Sequence, residues 1–264
     1  MLSKADLTQG SITGTLLRFT LPMIIGSLLQ QCYNIADTLI VGQCIGSGAL
    51  AAVGSAYTLM VFLISILLGL SMGSGTVFSL QYGAGRMKAL RRSIYVSAVL
   101  IGTVTIVLNI AALSFIHPIL KLLQIPDDIY QMMYDYLWII FWGIGFTFIY
   151  NFYAALLRAI GNAVTPLYFL AISVVLNIGL DLFFILLLDW GIKGAAIATI
   201  IAQGVSALGI MGYTYAKCPE LRLHRNDLHF DRHCLKEITS FSTLTCIQQS
   251  VMNLGILMVQ GLVN

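Results

Sequence analysis

Seven long apolar runs, separated by short polar or glycine-rich breaks, set the pattern of this chain. The first, Leu16 to Val41, is long enough to cross a bilayer as a helix, which takes about 20 predominantly apolar residues. Span 2 covers about Leu50 to Ser74 or beyond, and span 3 Ser93 to Phe115. Span 4 covers Tyr136 to Leu157, span 5 Pro166 to Leu188, and span 6 Ile192 to Tyr215. A seventh run begins near Ile238 and continues to Asn264. Met1 to Thr15 reads as a polar leader, and Lys217 to Glu237 as a hydrophilic link. Pro22 bends span 1 if the helix starts near Leu16, and only marks its beginning if the start lies nearer Leu21. The stretch from Leu68 to Arg86 is dense in glycine and serine, which lets helices approach closely.

Composition turns this pattern into a class. Of the 264 residues, 58% are hydrophobic and 9% charged, with a mean hydropathy of +0.89. A soluble domain carries about 25% charged residues, so the expected fold is an all-α polytopic membrane protein. The polar leader and the length of the first run speak against a cleaved signal peptide, so span 1 is expected to be retained. Lysine and arginine then give the orientation, because cytoplasmic connections are enriched in both. Twelve of the fourteen fall on one side of the predicted topology, including Arg18, Arg86, Arg91, Arg92, Arg158 and Arg222. Only Lys121 and Lys193 fall on the other. The expected location is the cytoplasmic membrane, with the amino terminus inside.

The same sequence excludes several kinds of chemistry. No basic stripe is interleaved with aromatics, so nucleic acid is not an expected partner. The five cysteines have no C-x-x-C or metal-ligand spacing and read as packing residues. The chain carries no GxxxxGK[ST] loop and no hydrolase triad or zinc pattern, so it is not expected to be an enzyme. All four histidines lie in connections or at span ends, which argues against a histidine proton relay.

Candidate chemistry is concentrated on a few polar groups inside the spans. Gln30, Asn34 and Asp37 recur at helical spacing and share roughly one face of span 1. A carboxylate inside a membrane helix costs at least ~2.5–3.5 kcal/mol, so it faces a bundle interior or an aqueous cavity. The only other acid well inside a span is Asp181, with Asn177 one turn before it. At ~1.5 Å per residue, Asp37 lies roughly 24 Å above a start of span 1 near Leu21, and Asp181 roughly 22 Å above Pro166. Thr199 lies about 10 Å below the outer end of span 6, so all three fall at similar depth. That depth suits a proton or cation site built from two desolvated carboxylates with amide and hydroxyl oxygens. Asn151 and Arg158 in span 4 are further candidates to line a cavity, with the cytoplasmic interface the favoured place for Arg158. Tyr130 to Trp142 suit an interfacial aromatic belt.

The chain also carries an internal echo. Shifted by 219 residues, Leu16, Thr20, Gln30, Asn34 and Gly42 fall on Leu235, Thr239, Gln249, Asn253 and Gly261. Six spans separate the copies, so both start on the same side, as parallel repeats do. The expected organisation is a leader (1–15), a six-helix amino-terminal lobe (16–216), a cytoplasmic link (217–237) and the first helix of a second lobe (238–264). Twelve helices are expected in the complete architecture, with the missing second lobe required for activity. Asp37 falls opposite Ile256, so the acid belongs to the first copy alone.

Five stretches carry a resemblance: LPMIIGSLLQQCYNIADTLIVGQCIG, GLSMGSGTVFSLQYGAGR, LLRAIGNAVTPL, NIGLDLFFI and GIKGAAIATIIAQ. In this order they are similar to the multidrug and toxic compound extrusion (MATE) family. The resemblance implies a two-lobed antiporter that exports organic cations and drugs by alternating access, driven by inward proton or sodium movement. It implies no cofactor beyond that coupling ion. It also implies an ion site made of Asp37, Asn177, Asp181 and Thr199. A lipid-linked saccharide flippase on the same scaffold, a seven-helix receptor and an inactive truncated fragment are the rival readings. The flippase calls for basic residues in the cavity, of which the spans offer almost none, and the receptor for an external amino terminus, against the twelve-to-two charge split.

Overall fold

The computed structural model describes residues 12–122, 125–224 and 227–263, so most of the predicted leader lies outside the described residues. The described part is built of helices and connections without a strand. α1 spans Ile12–Cys44, α2 Ser47–Gly83, α3 Met87–Ser114, and the short α4 Ile116–Leu122. α5 spans Asp127–Trp142, α6 Ile144–Ala159, α7 Val164–Leu182, α8 Gly191–Lys217 and α9 Arg232–Val263. A π-helical turn, Phe183–Leu187, extends α7, and a 3-10 turn, Pro219–Leu221, follows α8.

Four of these helices are long and apolar enough to cross a membrane: α2, α3, α8, and α7 with its π turn. α5 and α6 together make a fifth span, bent by 46°. α1 and α9 have the length, at 33 and 32 residues, but stand outside that set. Their polar positions dilute the apolar run. Pro22 lies well inside α1, so of the two readings the interior one holds. With no N–H, it leaves the Arg18 carbonyl without its helical donor.

Span 4 departs from the single helix expected over Tyr136 to Leu157. It starts at Asp127, and its two halves meet at Gly143. A Cβ at Gly143 would lie 2.8 Å from Ile200 Cγ1 of α8, so glycine is what permits this crossing. The bend frees carbonyls that lipid cannot satisfy. Asn109 of α3 answers one of them, donating its Nδ2 to the Phe141 carbonyl at 2.5 Å. Gly143 N–H turns back to Ile140 O at 2.8 Å.

The glycine-rich part of α2 is a packing surface. A Cβ on Gly69 would fall 2.7 Å from Cys246 Cα, and one on Gly73 2.4 Å from Ser242 Cα, both on α9. The backbones touch along one α2 face, and Ser242 donates its hydroxyl to Leu70 O at 3.3 Å. α9 makes its widest contact there, and it begins at Arg232, earlier than the expected span. α8 runs through the centre of the bundle on small buried residues, among them Ala195, Ala196, Ala198 and Ala202. Large apolar side chains such as Ile106, Ile110, Val175 and Leu187 are exposed on the outside, where a bilayer would meet them.

Both ends of the bundle carry ion pairs. At one end Arg91 pairs with Asp227 at 2.9 Å and Arg92 with Asp231 at 3.2 Å, tying the start of α3 to the segment before α9. Burial pushes the Asp227 carboxyl up. The His224 backbone N–H and the Arg91 guanidinium outweigh that and hold it below the ordinary carboxylate range. The His233 backbone N–H and Arg92 lower Asp231 likewise. At the opposite end Lys193 pairs with Asp135 at 3.2 Å. Near that end the aromatic rungs stack: His117 lies 4.8 Å from Tyr134, and Tyr134 6.3 Å from Trp138.

Candidate functional site

α1, α7 and α8 meet where the sequence places its membrane acids. Asn177 and Asp181 project from one face of α7 and are fully buried, and Thr199 of α8 is nearly so. Asn177 donates its Nδ2 to Thr199 Oγ1 at 3.3 Å. Asp37 of α1 lies close enough to Asp181 for the two carboxyl groups to interact electrostatically. The four residues expected to form an ion site are therefore brought together.

What they lack is donors. Both Asp181 oxygens, Asp37 Oδ1 and Asn177 Oδ1 are buried without a hydrogen-bond partner. Unmet buried acceptors are costly, and two carboxylates at this range repel unless something positive lies between them. A proton shared by the pair, or a small hard cation held by these oxygens, would meet that need. Among the described residues no group of three His, Cys, Asp or Glu side chains could hold a metal ion. The acceptor set is two carboxylates with amide and hydroxyl oxygens beside them.

Two tyrosines complete the cluster, and the sequence reading missed both. Tyr33 donates its hydroxyl to Thr199 Oγ1 at 3.5 Å. It precedes Asp37 by four residues, so helical spacing alone could have found it. Tyr136 of α5 is buried close enough to feel Asp37, Tyr33 and Asp181. No periodic signal marks it, because it arrives from a different helix.

Below the cluster lies a cavity of about 730 Å³, within the size range of small-molecule sites. The predicted lining residues Gln30, Asn34 and Asn151 all border it. So do Gln249 and Asn253 of α9, the partners of Gln30 and Asn34 in the internal echo. The polar face of span 1 therefore divides by depth. Gln30 and Asn34 face the cavity, and Asp37, further along, turns to Asp181. Thr147 donates its hydroxyl to Gln203 Oε1 at 2.9 Å, and Asn151 donates to Thr147 O at 2.8 Å, lining the opposite wall. Arg158, expected at the membrane interface, also borders the cavity.

The turn between α6 and α7 holds this wall in place. Gly161 takes a φ of +83°, which glycine adopts without strain. Asn162 Oδ1 accepts the Thr165 N–H at 3.1 Å, and Tyr150 donates its hydroxyl to Pro166 O at 3.0 Å.

Comparison with known proteins agrees with this architecture. The family model described as MatE matches residues 22–183. The probable multidrug resistance protein YpnP of Bacillus subtilis is 36% identical over 203 residues, which cover 77% of this chain and 46% of that protein. The probable multidrug resistance protein YoeA of the same organism is 30% identical over 229 residues, 85% of this chain and 48% of its own length. Among solved structures, an outward-facing multidrug resistance MATE family transporter of the MOP superfamily superposes with a TM-score of 0.89 at 24% identity. That match covers 97% of this chain and 57% of the transporter. The chain spans about half the length of the curated relatives it matches.

Proposed function

Because this chain belongs to the MatE family, we propose that it works in a secondary antiporter that exports drug-sized organic molecules in exchange for protons or sodium ions. Its setting is the cytoplasmic membrane, with the amino terminus inside. Residues 16–216 form one six-helix lobe, with α5 and α6 counted as one span. The residues between α8 and α9 are the link, and α9, from Arg232, begins a second, parallel lobe that completes the transporter.

One observation carries the coupling: Tyr33 belongs to both places. It lines the cavity, and its hydroxyl reaches Thr199 in the acid cluster. Thr199 Oγ1 already accepts from Asn177 and Tyr33, which occupies both of its lone pairs. A sodium ion taking that oxygen would displace one of them, and Tyr33 is the longer bond. A proton taken up between Asp37 and Asp181 would draw α1 and α7 together. Either event changes the wall of the cavity, so ion and cargo bias the same two helices. Alternating access then follows as a population shift, since each ligand favours one packing of α1 against α7.

The test is export of a fluorescent drug from cells or inverted vesicles under an imposed proton or sodium gradient. Asp37→Asn and Asp181→Asn should each abolish gradient-driven export at unchanged membrane abundance. Undiminished export in both variants would refute the assignment.

A further inference from the structure

Arg158 is the only charged side chain bordering the cavity among the described residues. It stands in the last turn of α6, beside Ala163 and Pro166 at the start of α7. Several other cations in the described structure are engaged. Arg91, Arg92 and Lys193 have carboxylate partners, and Arg222 donates to Tyr215 O and lies over its ring. Among the described residues the Arg158 guanidinium has neither an ion pair nor a hydrogen-bond partner.

The surroundings sharpen the point. The membrane acids Asp37 and Asp181 do not border the cavity. A positively charged cargo would meet no opposite charge there, and would meet one like charge. The remaining polar lining is neutral, including Gln30, Asn151 and Gln203, and apolar side chains such as Val61 and Leu68 supply the rest. A guanidinium offers a planar fork of five donors that matches carboxylate and phosphate oxygens two at a time. Half-buried at a cavity wall, it is less screened than a surface charge.

We propose that this cavity selects amphipathic molecules bearing an anionic group, a carboxylate or a phosphate, with Arg158 as the residue that determines that specificity. The proposal rests on reading the cavity as the transport pathway. It sets the cargo's charge opposite to that of the organic cations the sequence resemblance implies. The anionic group docks at the α6–α7 end, and the uncharged body extends along Asn151 and Gln203 toward Tyr33.

Equilibrium binding to the full-length protein in detergent tests this, using fluorescence polarisation of 5-carboxyfluorescein as the anion and ethidium as the cation. Arg158→Gln should weaken carboxyfluorescein binding by at least ~10-fold, the loss expected for a charge-assisted pair. Ethidium binding should stay equal or tighten, and Arg158→Lys should restore part of the anion affinity. Equal anion binding in wild type and Arg158→Gln would overturn the proposal. So would parallel loss of both probes, or a wild type that binds no anionic probe. Dihexanoyl phosphatidic acid is added as competitor. Displacement supports the proposal with a lipid phosphate as the cargo, and a lack of displacement supports it with a soluble organic anion. No gradient is applied, so a failure of ion coupling in the export assay and a failure of anion selection here are read separately.

Discussion

Tyr33 reaches Thr199 across 166 residues of sequence, hydroxyl to hydroxyl at 3.5 Å, while its own helix walls the cavity. That bond is long and therefore weak. Tyr33→Phe keeps the ring and removes only the hydroxyl, so thermal stability should change by less than about 1 kcal/mol. If Tyr33 links the cluster to the cavity, ion-driven export should fall while substrate binding at equilibrium is kept. Export rates with and without a gradient, set beside binding affinity, separate the two.

The bend at Gly143 depends on Asn109. Asn109→Leu removes the amide that answers the Phe141 carbonyl and leaves that buried carbonyl only a share of the Gly143 N–H, which also turns to Ile140 O. The expected loss is about 1–3 kcal/mol, read as a lower midpoint in thermal unfolding of the detergent-solubilised protein. Asn109→Gln, with the same amide on a longer stem, should recover part of it.

Helix packing at Gly73 admits no side chain. A Cβ there would sit 2.4 Å from the Ser242 backbone, so Gly73→Ala must push α9 from α2. Overpacking of this kind costs typically ~1–3 kcal/mol. Gly54→Ala is the control, because a Cβ at Gly54 meets nothing within 4 Å. A cysteine crosslink between α2 and α9 that forms equally well in Gly73→Ala and wild type would contradict the close contact.

The ion pair at the charged end has a pH signature. Asp227 is held below its ordinary range in the folded protein, so its folded form binds a proton less readily than its unfolded form. The stability it contributes is therefore fully present above the unfolded carboxylate value of about 3.9 and is lost as pH falls through the lowered folded value. Asp227→Asn should be less stable than wild type at pH 7, and the gap should close on acidification. A difference that persists unchanged below pH 3 would place the effect elsewhere.

Much of the site was legible one helix at a time. Asp37 and Asp181 stood out because a carboxylate inside an apolar run is costly, and Asn177 stood out because it lies one turn from Asp181. Tyr33 carried the same spacing signal, but a tyrosine in a membrane helix raises no comparable alarm. Tyr136 read only as part of the aromatic belt, whereas it is buried beside the acids. The bend at Gly143 was hidden for a related reason: the apolar pattern runs straight through it, and only the closeness of Ile200 and the reach of Asn109 make the break.

The sequence by itself determined that the chain is a bundle of apolar helices, where most of those helices run, and which of them carry misplaced polar groups. Those properties follow from transfer energies and helical periodicity, which act within one segment. Only the tertiary structure decided which polar groups meet. It set Asp37 against Asp181 and Tyr33 against Thr199, and it turned Arg158 toward the cavity without a partner. Such pairings depend on the crossing and rotation of whole helices. Small contacts such as Gly69 and Gly73 on α9 set these, and no single run of residues records the result.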